Sequence, residues 1–141
     1  MNKILIDTDV ILDFFFDRKP FSEQASKILS LCEMKMIQGF VTPVILSNVY
    51  YLLRQTAKHE KVIENLNQLL TITDILSMDK DVVVRALNSK FKDFEDALQN
   101  FAALKAKIID TIVTRNIKDF KTSEIGVMTP EDFLKTKIAS R

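Results

Sequence analysis

Short apolar runs alternate with longer segments of helical periodicity along the chain. Ile4-Leu5-Ile6 and Phe40-Val41-Thr42 predict two buried strands. Three more strands are predicted at residues 71–76, across Ile108-Ile109 and Ile112-Val113, and at 126–129. Apolar residues at helical spacing predict helices near 10–15, 22–32, 43–56, 62–70, 79–87 and 95–106, with a last helix from Pro130.

Strands that alternate with one or two helices indicate parallel pairing in a sheet covered by helices on both faces. We therefore predict the α/β class, as a three-layer α/β/α sandwich with a central, mainly parallel sheet of four to five strands. No linker, repeat or low-complexity stretch interrupts the pattern, so we expect a single domain over residues 1–141.

Composition excludes several classes of protein. The formal net charge is +1, so any contact with nucleic acid must come from local basic patches. Cys32 is the only cysteine, which excludes an internal disulfide and multi-cysteine zinc sites and favours a cytoplasmic setting. The lone His59 lies in a charged segment predicted as a solvated turn or helix start, and two glycines leave no glycine-rich phosphate loop. The apolar stretch before Asp7 is too short for a signal peptide or a membrane span.

Polar residues follow the predicted strands where ligands bind in open parallel sheets, at the carboxyl ends. Asp7 closes the first strand, and Thr8 or Asp9 is expected to cap the helix after it. Asn48 lies in the first turns of the helix after the second strand. Asn116 and Asp119 follow Ile112-Val113 within a few residues, so all of these side chains are able to face one crevice.

Asp93 and Asp96 are three residues apart, which places both carboxylates on one face at the start of the 95–106 helix, with Glu95 pointing elsewhere. Simple helix capping is one explanation of this pair. The functional explanation is that Asp7, Asp96 and an acid after the fourth strand gather like charges around a hard cation such as Mg²⁺ or Mn²⁺. Such an ion would serve phosphodiester hydrolysis by an activated water.

Three segments carry a resemblance to a known family. ILIDTDVILDFF at the start, VTPVILSNVYYLLR in the middle, and KDFEDALQNFAAL followed by IVTRNIKDF resemble a PIN domain. Within that family the chain is most similar to the branch whose late motifs read D-F-E-D-A-L-Q and T-R-N-x-K-D-F, alongside the VapC-type toxin nucleases. The resemblance covers nearly the whole chain. It implies a Mg²⁺- or Mn²⁺-dependent endoribonuclease that acts on RNA, often forms homodimers and pairs with a small antitoxin protein.

The resemblance also implies roles for individual residues. Asp7 would be the first metal-binding acid, Asp96 the acid that opens the central helix, and Asp93 a supporting carboxylate. Toxin members commonly have an aspartate where this chain has Asn116, so Asp119 would supply the missing charge to the metal site. They commonly have a glutamate where this chain has Asn48, and an amide cannot act as a base.

Flanking residues are candidates for contact with the substrate. The Thr114 hydroxyl is able to orient Asp7 or bind a phosphate, and Arg115 to contact the RNA backbone, with a strand-end threonine and a surface arginine as the alternative. A basic rim for a polyanion is also conceivable, against the simpler explanation of solvated lysines. Its members would be Lys90, Lys92, Lys118 and Lys121.

Two other functions compete with the ribonuclease. Because Asn48 and Asn116 replace expected acids, a catalytically weak or inactive PIN-like module that binds RNA or protein is the main alternative. A phosphatase-like enzyme with Asp7 as covalent nucleophile and Asp9 as acid is the other, and the later motifs disfavour it.

Overall fold

The computed structural model describes residues 1–139 and contains one five-stranded sheet in which every pairing is parallel. The strands are β1 (Asn2–Ile6), β2 (Ile37–Val41), β3 (Thr73–Ile75), β4 (Thr111–Val113) and β5 (Gly126–Met128). The helices of this part of the chain are α1 (Thr8–Phe15), α2 (Ser22–Glu33), α3 (Pro43–Leu53), α4 (His59–Ile72), α5 (Lys80–Leu87), α6 (Phe94–Ala106) and α7 (Pro130–Ala139), with a 3₁₀ helix at Ile117–Phe120.

Strand β1 shows why the sheet has a helical layer on each face. Ile4, Leu5 and Ile6 are all fully buried, and successive side chains of a strand point to opposite faces. Both faces of the sheet are therefore covered, as the continuous apolar run predicts. The predicted three-layer α/β/α architecture is confirmed, with five strands that are all parallel.

The strand order is β3-β2-β1-β4-β5. From β1 the chain passes through α1 and α2 to β2 on one side, whereas β4 lies on the other side of β1. Connections that leave neighbouring strands in opposite directions open a crevice at their carboxyl ends. In this fold the crevice lies beyond β1 and β4.

Three local predictions are wrong in detail. Helix α4 continues to Ile72, where the Thr73 hydroxyl donates to the Leu69 carbonyl at 2.8 Å, so β3 begins two residues later than predicted. Lys107 adopts a left-handed φ of 60° and ends α6, which leaves Ile108 and Ile109 in the turn before β4. The N-cap of α1 is Asp7, rather than Thr8 or Asp9.

Helices α5 and α6 pack on each other through a small core of their own. Its members are Val82, Ala86, Ala97, Leu98 and Ala102. A buried hydrogen bond of 2.7 Å from the Thr42 hydroxyl to Gln99 Oε1 joins α6 to the start of α3. The first turn of α6 is thereby held near the carboxyl ends of the strands. Within residues 1–139, none of the helices combines the length and apolarity needed to cross a bilayer.

Candidate active site at the carboxyl ends of β1 and β4

Asp7 and Thr114 are the first residues beyond β1 and β4, the two strands that flank the crevice. The Asp7 amide donates to the Val113 carbonyl at 3.0 Å, which fixes the backbone of Asp7 against β4. The Thr8 amide donates to Asp7 Oδ1 at 2.8 Å, and the buried Thr114 hydroxyl donates to Asp7 Oδ2 at 2.9 Å. Each carboxylate oxygen of Asp7 is thus held by one donor and keeps a further lone pair free.

The pKa of Asp7 is raised to about 6, mainly by burial and in addition by the neighbouring charges of Asp9 and Glu95. The hydrogen bonds from Thr8 and Thr114 act in the opposite direction because they stabilise the ionised form. Asp7 is therefore a carboxylate whose negative charge is only partly compensated by its protein neighbours.

Asp9 lies in the first turn of α1, and its two oxygens have different surroundings. Oδ2 accepts from the Arg115 amide at 3.0 Å and from the Asn116 side-chain amide at 3.3 Å. Oδ1 is buried and has no hydrogen-bond partner within residues 1–139. Burial is the main cause of the raised pKa of Asp9. Asn116 thus contacts an acid that the sequence analysis considered only as a cap or a phosphatase acid.

The side chain of Arg115 points toward α1. Its Nε and Nη2 donate to the two oxygens of buried Asp13 at 2.7 and 3.0 Å, and its guanidinium stacks 4.0 Å from the centre of the Phe21 ring. Arg18 approaches the same carboxylate at 3.6 Å. The segment after β4 is therefore fixed to α1, and the predicted contact of Arg115 with RNA stays a prediction.

Asp93 and Asp96 lie where α6 begins. Asp93 is the N-cap, and its Oδ1 accepts from the Asp96 amide at 2.9 Å, so the predicted capping interaction is present. Both side chains also line the crevice beyond β1 and β4. Capping and a place at the site therefore coexist in this pair.

The prediction that Glu95 points elsewhere is wrong. Glu95 lines the same crevice, and its Oε2 accepts from the Asn48 side-chain amide at 2.8 Å. Asn48 on α3 thus holds the exposed Glu95 side chain at the edge of the crevice, beside Asp93 and Asp96. Asn48 thus binds the acid of another helix instead of adding an acid of its own.

The crevice, which we call the acidic cleft, has a volume of about 330 Å³. Among residues 1–139, six carboxylates and a single cationic side chain, that of Arg18, line it. Burial raises the pKa of Asp96 to about 7, with further contributions from the charges of Asp93, Asp7, Asp119 and Glu95. The carboxylates are those of Asp7, Asp9, Asp93, Glu95, Asp96 and Asp119.

The donor set of the acidic cleft fits a hard divalent cation, because carboxylate oxygens are the ligands that Mg²⁺ and Mn²⁺ prefer. Asp7 follows β1, Asp96 lies in α6 and Asp119 in the segment after β4, and the charges of Asp7 and Asp119 raise the pKa of Asp96. Among residues 1–139, no three acidic, histidine or cysteine side chains already stand in a ligating arrangement. Ion binding therefore requires rotation of these carboxylate side chains toward one another.

Most of the predicted site residues fall at or next to the acidic cleft. Asp7, Asp93, Asp96, Asn116 and Asp119 line it, whereas Asn48 and Thr114 touch it through the acids that they bind. Neither the place of Glu95 in the cleft nor the ion pair of Asp13 with Arg115 was predicted from the sequence. The signal for Asp13 was an acidic residue within an otherwise apolar helix surface, which a buried ion pair explains.

The protein-family profile described as "PIN domain" matches residues 3–118, most of the chain. No curated protein sequence matches the chain significantly.

Solved structures with the same fold are more numerous. A toxin–antitoxin complex from Klebsiella pneumoniae has a TM-score of 0.67 and 23% identity, covering 90% of this chain and 97% of that one. VapBC2 from Rickettsia felis, bound to a promoter DNA fragment, has a TM-score of 0.64 and 16% identity over 89% and 96% of the two chains. VapC20 of Mycobacterium tuberculosis, described as a sarcin–ricin loop cleaving toxin, has a TM-score of 0.58 and 17% identity, covering 77% of this chain and 86% of that one. At these identities the likeness concerns the fold.

Proposed function

The chain belongs to the PIN domain family, and from that premise and the acidic cleft we propose that it is a divalent-metal-dependent endoribonuclease. The observation that carries the proposal is the gathering of six carboxylates around one cleft in a protein whose net charge is +1. In the part of the chain that the structure describes, they face a single cationic side chain. Unfavourable charge of this kind is stabilised by a bound cation.

In this proposal Asp7, Asp96 and Asp119 hold the ion, and Asp93 supports them from the N-cap of α6. A bound Mg²⁺ or Mn²⁺ would polarise the attacking water and offset the charge that develops on the scissile phosphate. Thr114 and the Thr8 amide keep the Asp7 carboxylate in one orientation. The protein would thus contribute by positioning carboxylate oxygens that bind the ion.

The two asparagines have a supporting function in this proposal. Asn48 donates to Glu95 and Asn116 donates to Asp9, so each amide orients an acid of the cleft. Six carboxylates remain without an acid at either position. The loss of those acids therefore leaves a sufficient donor set for one ion.

The first experiment measures cleavage of single-stranded and structured RNA by the purified chain in Mg²⁺, in Mn²⁺ and in EDTA. We expect cleavage only with the ions, and a loss of about 100-fold or more in Asp7→Asn and in Asp96→Asn. Asp74→Asn is the matched control, because Asp74 is exposed on β3, accepts from Gln38 and does not line the described part of the cleft. Full activity of both cleft variants would exclude the proposal.

The same experiment tests the RNA- or protein-binding module. If wild-type protein binds RNA without ions and cleaves nothing, and if Asn48→Glu with Asn116→Asp creates ion-dependent cleavage, the binding module is correct. We favour the nuclease because, among the described residues that line the cleft, six acids face one arginine.

The PIN fold and its neighbours support a further proposal about biological context. The Klebsiella and Rickettsia structures are described as a toxin–antitoxin complex and as VapBC2, so we propose that this chain is a VapC-like toxin. A small antitoxin partner, a homodimeric state, a cytoplasmic location and a single domain spanning residues 1–141 belong to the same proposal. Co-expression with the product of a neighbouring small reading frame, followed by co-purification, tests the antitoxin.

A further inference from the structure

A second cavity adjoins the acidic cleft, and we call it the lysine cavity. Its volume is about 250 Å³. Asp93, Asp96 and Asp119 line both cavities, so the two share a wall. The remaining lining residues are Lys90, Phe91, Lys92, Lys118, Lys121 and Thr122.

The four lysines come from two separate segments of the chain. Lys90 and Lys92 precede α6, whereas Lys118 and Lys121 lie in and just after the 3₁₀ helix. The fold brings them together at the same place where Asp96 and Asp119 meet. A cluster built from distant segments is a property of the folded molecule and not of a local charge run.

These lysines have no ion-pair partner in the part of the chain that the structure describes. Lysines elsewhere do pair, as Lys27 does with Glu23 at 3.4 Å and Lys135 with Glu131 at 3.5 Å. The carboxylates of the shared wall therefore form no close ion pair with the lysines of the cavity. Four ammonium groups remain available to an external anion.

We propose that the lysine cavity is a phosphate-binding subsite, which holds a backbone phosphate of the RNA strand next to the scissile one. The inference rests on the proposed function and assigns a path to the substrate: one phosphate at the ion in the acidic cleft, a neighbouring one among the lysines. A polyanion with regularly repeated phosphates fits this arrangement. An acidic peptide fits it less well, because its carboxylates have no reason to continue into the acidic cleft.

The test is RNA binding in an Asp7→Asn background, which prevents cleavage. Fluorescence anisotropy with a short single-stranded RNA is measured over a range of salt concentrations. We expect Lys118→Ala/Lys121→Ala and Lys90→Ala/Lys92→Ala each to weaken binding by about tenfold and to reduce the salt slope by about 0.7 per lysine. Since all four side chains are exposed, thermal unfolding should be unchanged.

Lys58→Ala/Lys80→Ala is the matched control. Both lysines are exposed, start helices elsewhere, and line neither cavity. This control should bind RNA with the affinity and salt slope of the background protein. Equal losses in the control and the cavity variants, or full affinity in the cavity variants, would overturn the subsite.

Failure of the subsite and failure of the nuclease proposal give different results. In a protein with Asp7 intact, the cavity variants should raise KM for RNA about tenfold and leave kcat nearly unchanged, because the lysines do not touch the reacting phosphate. Ion-dependent cleavage with an unchanged KM in the cavity variants would refute the subsite and support the nuclease. If the wild-type protein never cleaves RNA and the cavity variants lose RNA binding, the subsite is supported and the nuclease is refuted.

Discussion

At the scale of single residues, the ionisation of Asp7 depends on a balance between burial and two hydrogen bonds. Burial raises its pKa to about 6, and the donors from Thr8 and Thr114 lower it. The Thr114 hydroxyl is the only side chain among those donors, and it is fully buried. Thr114 is thus a positioning residue that acts through Asp7.

Thr114→Val should raise the pKa of Asp7 by about one unit, because a hydrogen bond to a charged group is worth about 1.5 kcal/mol or more. The substitution keeps the size and β-branching of the side chain. Carbon-13 NMR of the Asp7 carboxyl in EDTA measures the shift. Thr114→Ser keeps the hydroxyl and should retain the wild-type value, whereas equal shifts in both variants would mean that packing and not the hydrogen bond matters.

Asp96 makes the metal-free protein less stable as pH rises. Its native pKa is about 7 against 3.8 for an ordinary aspartate, so the native state keeps a proton that the unfolded chain has already lost. Stability from this group is present at low pH and is lost as pH rises toward and through 7. In EDTA, Asp96→Asn should therefore be more stable than wild type at pH 8 by about 1–2 kcal/mol, after allowance for solvent screening.

Urea unfolding of wild type and Asp96→Asn at pH 5 and at pH 8 checks this prediction. The difference between the two proteins should be larger at pH 8, where the wild-type carboxylate is ionised. Asp74→Asn should show no such difference between the two pH values. A pH-independent effect of Asp96→Asn would mean that Asp96 is an ordinary exposed carboxylate.

The positions of Asp7, Asp96 and Asp119 at the acidic cleft were predictable from the sequence, because a strand end or a helix start determines where such residues lie. The orientation of Glu95 and the contacts of Asp9 were not predictable. The direction of Glu95 depends on Asn48, which is 47 positions away in the chain, and the surroundings of Asp9 depend on the backbone after β4. Contacts of this kind follow from tertiary packing, which a single sequence does not encode locally.

At the scale of elements, the Asp13–Arg115 pair joins α1 to the segment after β4. Asp13 is 1% exposed, and Arg115 satisfies both of its oxygens. The Arg115 amide meanwhile holds Asp9. These contacts fix the position of α1 relative to the segment after β4, both of which contribute residues to the acidic cleft.

Arg115→Ala should lower the free energy of unfolding by about 3 kcal/mol, because it leaves a buried carboxylate with only the more distant Arg18. Arg115→Lys should recover part of the loss, since an ammonium cannot donate in the same two-pronged way. Urea unfolding measures both. Lys27→Ala, which breaks the exposed pair with Glu23 on α2, should cost less than about 0.5 kcal/mol; a similar small cost for Arg115→Ala would contradict the assignment.

The order and type of the elements were predictable, and their ends were not. The alternation of polar and apolar residues over 71–76 predicted a strand from its first residue, but Thr73 continues the hydrogen bonding of α4 through its hydroxyl. Ile108 and Ile109 read as strand residues, but the left-handed Lys107 puts them in a turn. Periodicity cannot separate these alternatives over so few residues.

At the scale of the whole molecule, the net charge of +1 conceals a separation of charge. Six carboxylates line the acidic cleft, and four lysines, which form no ion pair within residues 1–139, line the cavity beside it. Composition alone could not reveal this arrangement, because it depends on the strand order that brings β1, β4 and the start of α6 together. The small net charge is also why the protein should attract RNA only through local patches of charge.

The same charge separation predicts how the whole protein responds to Mn²⁺. An ion that binds the native state alone stabilises it by about 2.7 kcal/mol at a concentration 100 times the dissociation constant, which is about 5–10 °C in Tm for a chain of this size. Differential scanning fluorimetry at pH 8, from EDTA into Mn²⁺, should show this rise for wild type and for the Asp74→Asn control. The Asp7→Asn/Asp96→Asn variant should start with a higher Tm in EDTA and gain little from Mn²⁺. Equal gains in Tm in all three proteins would place the ion outside the acidic cleft. The expected result for the double variant combines a higher Tm in EDTA with a lost response to Mn²⁺, and neither misfolding nor a general ion effect produces both.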